Sequence, residues 1–336
     1  MAIRMNKEMN RQFTLLGNAL LLSTTLVCAV LCSLPVGGQS AGNPLVLPVR
    51  YDEDRFYVQP VTSDGITLNF FTDTGGGLFV FSDVVERLKL PVISIEADEG
   101  QKFNVVKLPE FKDESVIPAP LGNREQLFVV PSESRDLLTR DWSGILGHQW
   151  FAGRVWTFDY PKRQLLLRAG GDLPASKNKH RVALGFRSNS SGGRATNYPR
   201  IPVTINGETI ELLFDTGATT RLSEAALAVL KDNRAAIRAT SFVTASVFEK
   251  WRKQNPRWRV IEKAETQSDE AMIEVPKVVI AGYTVRRVWF TRRPDKNFKQ
   301  YTKWMDKPID GALGGNALRH FRISVDYPRA IAVFER

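Results

Sequence analysis

Residues 212–220 read LLFDTGATT, and residues 69–77 read NFFTDTGGG. A single Asp-Thr-Gly is what a strand-to-turn junction ordinarily looks like, since Asp tolerates tight turns and Gly supplies unusual backbone angles. Two of them at matched places require more. The flanking segments PVTSDGITLNFFTDTG (60–75) and PVTINGETIELLFDTG (202–217) align without a gap at a constant spacing of 142 residues. Downstream, GILGHQWFAGRVWTFDYPKRQLLL from Gly144 matches GALGGNALRHFRISVDYPRAIAVF from Gly311 at a spacing of 167. Two motifs repeated in the same order make this a duplicated lobe, the second copy being 25 residues longer between them.

Each copy reads as β structure. Apolar and polar residues alternate on both sides of Asp64-Gly65 and of Asn206-Gly207, a hairpin pattern. RVWTFDYPKRQLLLR, FRISVDYPRAIAVFE and PKVVIAGYTVRRVWF read as further hairpins. Helices are expected only in SDVVERLKL, SEAALAVLKDN and TASVFEKWRKQ. The fold class is therefore all-β: two homologous lobes related by a pseudo-twofold axis, with few short helices. The expected division is 42–170, a joint at 171–181 rich in Gly, Pro and Lys, and 182–336. SNSSGGRATN (188–197) reads as a hairpin tip inside the second lobe.

Residues 1–41 belong to a different regime. Arg4, Lys7 and Arg11 precede a long uncharged apolar run from Phe13 to Pro35, followed by VGGQSAG. That is the layout of an export signal cleaved between Gly37 and Ala41, and the run is also long enough to remain as an anchor over residues 13–35. The expected location is thus periplasmic or secreted, with membrane contact only through this segment if uncleaved. Both cysteines, Cys28 and Cys32, lie within it, so the remainder has no disulfide.

The chain has 336 residues, 43% hydrophobic and 24% charged, the composition of a core-forming protein. Its net charge of +10 favours anionic partners. The basic, Trp-bearing segments 248–260 and 286–304 fit base stacking in principle, but the favoured reading is a solvated charged face with Trp packed beneath. Nucleic acid is not an expected partner; docking to an anionic envelope surface or an acidic substrate fits better. His148, His180 and His320 show no metal-ligand spacing, and Ser143 has no partnered His to make it a nucleophile. No metal or cofactor is expected.

A duplication sets equivalent residues on opposite sides of a pseudo-twofold axis. Asp73 and Asp215, placed near that axis, would share one proton and titrate as a pair. One carboxyl is then a base and the other an acid at the same pH, which activates water against a carbonyl without metal or covalent intermediate. Thr74 and Thr216 can hydrogen-bond between the lobes, and Gly75 and Gly217 let backbone N–H groups approach the carboxylates.

On these residues the sequence resembles the aspartic peptidases, and specifically the retropepsin-like family. FDTGATT (214–220) matches that family's signature, and its hydrophobic-hydrophobic-Gly element corresponds to Ile145-Leu146-Gly147 and Ala312-Leu313-Gly314. The resemblance implies peptide-bond hydrolysis by an Asp73–Asp215 dyad, with both halves in one chain as in the pepsin-like plan: a monomer with pseudo-dimeric lobes acting on polypeptide. Two departures stand in the first copy. Thr72 is polar where an apolar residue is usual, and Gly76-Gly77 replace small or hydroxyl residues. Flaps are expected over 95–108 and 238–247. Because Gly76 and Ala218 offer the carboxylates no hydroxyl, activity is expected near about pH 5–7. The alternative reading is a peptide-binding pseudo-peptidase with weak or no catalysis.

Overall fold

A computed structural model describes residues 43–96, 101–113, 116–121, 125–168, 173–174, 177 and 180–336. Residues 1–41, read above as an export signal, and most of the joint expected over 171–181 lie outside these residues.

Three large sheets build the molecule. The first lobe is an eight-stranded sheet in the order Val49–Asp52, Arg55–Val58, Phe70–Thr72, Gly144–Leu146, Phe79–Phe81, Gln126–Val130, Lys102–Lys107, Ile93–Glu96. The second is seven-stranded: Arg200–Ile205, Glu208–Phe214, Gly311–Leu313, Ser241–Thr244, Tyr283–Arg293, Met272–Ile280, Val260–Ile261. The second strand of the first list, Arg55–Val58, corresponds to the first of the second, Arg200–Ile205, and from there the two orders run in step, parallel and antiparallel steps included. Phe71 lies opposite Ile145 and Leu213 opposite Ala312, both in parallel pairs. The predicted hairpins at 155–168, 200–214, 272–293 and 322–335 are all present. Ser188–Arg194 closes the expected tip, with the Asn189 N–H donating to the Gly193 carbonyl.

The third sheet joins the lobes. Its six strands run Leu45–Val46, Gln164–Arg168, Val155–Asp159, Arg322–Asp326, Ile331–Glu335, Arg181–Ala183, three from each half. Across the central seam Val155 faces Asp326, Thr157 faces Ser324 and Asp159 faces Arg322. Thr157 and Ser324 are themselves equivalent positions, and their buried hydroxyls meet at 2.8 Å. The pseudo-twofold axis therefore passes between them.

Aromatic residues fill the interior. Phe56, Phe158 and Phe214 are fully buried and in ring contact from both halves, and Phe71 stacks on Trp142 at 4.2 Å. Burial of such side chains, about 1.5–3 kcal/mol each, is the main stabilising term in a domain without disulfides.

The 25 extra residues of the second lobe are largely one element. Phe79 follows Asp73 by six residues, whereas its topological counterpart Phe242 follows Asp215 by 27, a difference of 21. Ala218 and Thr240 are joined directly by a Thr240 N–H to Ala218 carbonyl hydrogen bond of 2.9 Å. Residues 219–239 leave and return between them as strand Thr219–Arg221, helix Glu224–Leu230 and strand Ile237–Ala239, the two strands paired with each other. Ser223 caps the helix by accepting the Ala226 N–H, and Leu222, Ala226 and Leu227 pack on Ile261, Ala264 and Met272.

This corrects the second expected flap. Residues 238–247 are the return strand of the excursion, the buried inner strand Ser241–Thr244 and the start of helix Ala245–Gln254. An inner strand paired on both sides cannot lift over a cleft. The first expected flap falls on the hairpin Ile93–Glu96/Lys102–Lys107 at the edge of its sheet; residues 97–100 are outside the described set. Among the described residues no helix is long and apolar enough to cross a membrane.

Candidate active site

The two Asp-Thr-Gly loops meet at the axis. Each is held from below by the strand carrying the hydrophobic-hydrophobic-Gly element. The Asp73 N–H donates to the Leu146 carbonyl at 3.1 Å, and the Asp215 N–H to the Leu313 carbonyl at 3.0 Å. Ile145, Leu146, Ala312 and Leu313 are all buried in these supporting strands. Gly147 and Gly314 then pass beneath the loops where no side chain fits: a Cβ would lie 1.9 Å from the Gly77 carbonyl oxygen or 1.7 Å from that of Thr240.

Thr74 and Thr216 lock the loops to each other. The Thr216 N–H donates to Thr74 Oγ1 at 3.0 Å, and the Thr74 N–H to Thr216 Oγ1 at 3.2 Å. Thr74 Oγ1 passes its own proton to the Phe214 carbonyl at 2.5 Å. All of these groups are buried, so each bond replaces a polar group's lost water.

Gly75 and Gly217 serve in two ways. Each N–H donates to Oδ1 of the aspartate two residues before it, at 2.9 Å for Asp73 and 3.0 Å for Asp215. Each α-carbon also abuts the opposite aspartate. A Cβ on Gly217 would stand 2.2 Å from Asp73 Cγ, and one on Gly75 would stand 2.9 Å from Asp215 Cγ. The glycines are thus small because the partner lobe's carboxyl needs the space.

The two carboxyl groups are both fully buried, each against the opposite lobe's glycine at the axis. Burial and then the charge of Asp215 push the Asp73 pKa well above its usual 3.8, and the Gly75 N–H acts in the other direction. Among the described residues Asp73 Oδ2 has no hydrogen-bond partner. Gly76 explains the lack on its own side: a Cβ there would lie 2.5 Å from that oxygen, so no hydroxyl side chain fits without a shift. Thr72, polar where the pattern wants an apolar residue, is buried and donates to the Phe56 carbonyl at 2.9 Å. The departure is satisfied within its own sheet.

Several neighbours were not anticipated from sequence. Tyr301 donates its hydroxyl to the Gly75 carbonyl at 3.3 Å. Tyr198 packs edge-on to Tyr301 and stacks on His148, 3.8 Å between centroids. Burial and the nearby Asp73 charge raise the Tyr198 pKa; Tyr301 is raised by burial, Tyr198 and both aspartates. His148 is buried, its pKa down to about 3, which makes it a neutral packing group. The only sequence signal for this cluster is its aromatic content, which core packing explains equally well. His180 stacks on Tyr283, and His320, with much of its surface still open, is in edge-on ring contact with Phe321. Ser143 is buried and accepts the Asn69 N–H. Among the described residues no group of three or more His, Cys, Asp or Glu could hold a metal.

No protein-family model matches the chain. No curated protein matches it either. Solved structures do. Similar ones include an aspartic proteinase from Irpex lacteus, 13% identical over 88% of this chain and 97% of that one, TM-score 0.47. Conglutin gamma, a basic 7S globulin from lupine seeds, is 12% identical over 87% and 95%, TM-score 0.46. The protein edgp is 11% identical over 89% and 96%, TM-score 0.44.

Proposed function

We propose that the chain is an exported aspartic endopeptidase of retropepsin-like character, a pseudo-dimeric monomer that hydrolyses polypeptides with Asp73 and Asp215. One observation carries this reading: two equivalent, fully buried carboxyls, one from each lobe, meet at the pseudo-twofold axis on loops tied together by Thr74 and Thr216, where burial and the charge of Asp215 favour the protonated form of Asp73. Asp215 takes a proton from a water as its oxygen attacks the peptide carbon. Asp73 gives its proton to the carbonyl oxygen, forming a neutral tetrahedral diol. Proton return to the nitrogen then lets the C–N bond break, leaving an acid and an amine. The Thr74–Thr216 lock keeps the carboxyls from separating as charge moves between them.

A second reading, peptide binding without cleavage, is supported by the full burial of both carboxyls and by the Tyr301 hydroxyl resting on the Gly75 carbonyl. Cleavage of a proteome-derived peptide library by residues 42–336 separates the two. The peptidase reading expects cleavage that falls at least roughly 10³-fold with either Asp73→Asn or Asp215→Asn, both variants staying folded. No cleavage, with peptides bound equally by wild type and variants, establishes the second reading. Cleavage surviving Asp73→Asn would point to a dimer using Asp215 twice. Export rests on residues 1–41, and N-terminal sequencing of the protein recovered outside the cytoplasm tests it.

A further inference from the structure

The outer face of the second lobe carries a feature unconnected with the dyad. In the hairpin of Met272–Ile280 and Tyr283–Arg293, Lys277 lies directly opposite Arg286. Like charges in that position repel and weaken a sheet, and both side chains are exposed. They line an open groove of about 720 Å³ with Thr284, Val285, His320 and Arg336, and no acidic side chain lines it.

The surrounding basic residues are treated differently. Arg287 reaches Glu274 at 2.8 Å, Arg322 reaches Glu335 at 3.3 Å, and Arg319 reaches Asp54 at 3.5 Å. Among the described residues Lys277, Arg286 and Arg336 form no ion pair. The three cations that line the groove are thus unpaired beside neighbours that are paired. Arg336 is also held in place. Its guanidinium donates to the Thr284 carbonyl at 2.6 Å and lies 5.2 Å from the Tyr283 and Phe321 ring centres, so little side-chain freedom remains to be lost on binding. His320 reports the local field: burial, then Arg319 and Arg336, lower its pKa, with Asp54 opposing.

We propose that this groove binds a compact anion bearing several phosphate charges, with Lys277, Arg286 and Arg336 as its cationic contacts. A guanidinium fork matches phosphate oxygens in pairs, and an ammonium adds a mobile point charge. The groove's volume of about 720 Å³ favours a small polyphosphorylated group over an extended polyanion. Such a group exists as a free phosphorylated metabolite or as a phosphate-bearing lipid headgroup.

The test titrates residues 42–336 with inorganic tripolyphosphate by calorimetry, and with vesicles of phosphatidylinositol 4,5-bisphosphate in phosphatidylcholine by co-sedimentation. Wild type is expected to bind at least one probe, more weakly as salt rises. Tripolyphosphate alone identifies a free ligand, vesicles alone a headgroup, and both the shared phosphate chemistry. The Lys277→Ser/Arg286→Ser double variant is expected to lose at least tenfold in affinity and to show a shallower salt dependence. Its melting temperature should not fall, since a repulsive pair is removed. Arg252→Ser, which removes a surface cation paired with Glu262, serves as the control. The proposal is overturned if wild type binds neither probe, if the double variant binds as tightly as wild type, or if Arg252→Ser weakens binding as much.

Discussion

At the scale of single residues, Asp73 sets the pH behaviour of the molecule. Its folded-state pKa lies above the unfolded value of 3.8, so the folded state holds the proton more tightly than the unfolded chain does. Ionising this group therefore costs stability: the cost is absent below the unfolded pKa and complete once pH exceeds the folded value. Asp73→Asn removes it. The variant is expected to melt higher than wild type at pH 7, on the order of 3 °C, with the gain vanishing near about pH 3. Calorimetric melts across that range check the prediction, and an equal gain at both ends would contradict it. Activity answers to the same surroundings. Gly76 shows that the position after Asp-Thr-Gly abuts its own lobe's carboxyl, and its equivalent Ala218 has a Cβ but no hydroxyl. Ala218→Ser would offer the ionised dyad a donor, so the acid limb of the rate profile should move down by up to about one pH unit. A limb that stays in place rules out this account.

At the scale of elements, the excursion at 219–239 distinguishes the lobes. It reaches back to the first lobe's turn at Glu53-Asp54, where Arg234 contacts Glu53 at 2.6 Å and Asp54 at 2.8 Å. The Ala239 N–H donates to the Glu53 carbonyl, and Arg55 to the Ile237 carbonyl. At its other side Thr220 and Arg293 both donate to the buried Glu265, at 2.9 and 2.6 Å. Arg234→Ala leaves two partly buried carboxylates short of their cation and should cost about 1–3 kcal/mol in urea unfolding, against less than about 0.5 for the exposed Lys253→Ala. Equal effects would reduce the clasp to a surface contact. The element was also the limit of what the sequence disclosed. Hairpins, the three longest helices and both Asp-Thr-Gly loops were legible because each rests on local alternation, turn residues or a repeated motif; the short helices His148–Phe151, Asp295–Lys299 and Gly315–Leu318 were not, being too short to show a helical period. The excursion was not, because SEAALAVLKDN begins eight residues after Asp215 and SDVVERLKL nine after Asp73, so the one looks like the counterpart of the other. The true counterpart is FVTASVFEKW (242–251), which matches FVFSDVVERL (79–88) at a spacing of 163. Only strand pairing decides between two helices of similar pattern. The tyrosines near the dyad were hidden for a related reason: Tyr198 and Tyr301 reach it from segments that nothing local marks.

At the scale of the whole molecule, the lobes are bound by more than their covalent joint. The central sheet draws three strands from each, and the Thr74–Thr216 lock ties the loops at the axis. A chain cut at a protease site engineered within residues 169–179 should therefore elute from a sizing column as one particle, with both fragments present and cleavage retained. Fragments that part without denaturant would show that the joint is needed to hold the lobes.

The clasp has a consequence for partner choice. Its acidic turn, Glu53-Asp54, belongs to one half, and its arginine, Arg234, to the other. Two copies of the first half would lack the excursion that meets the acidic turn, and two copies of the second would bring arginine without a carboxylate to meet it. Expressed as separate polypeptides, the halves should therefore recognise each other and reject themselves. The fused gene would then preserve an obligate heterodimer whose pairing code lies on its surface, outside the catalytic loops.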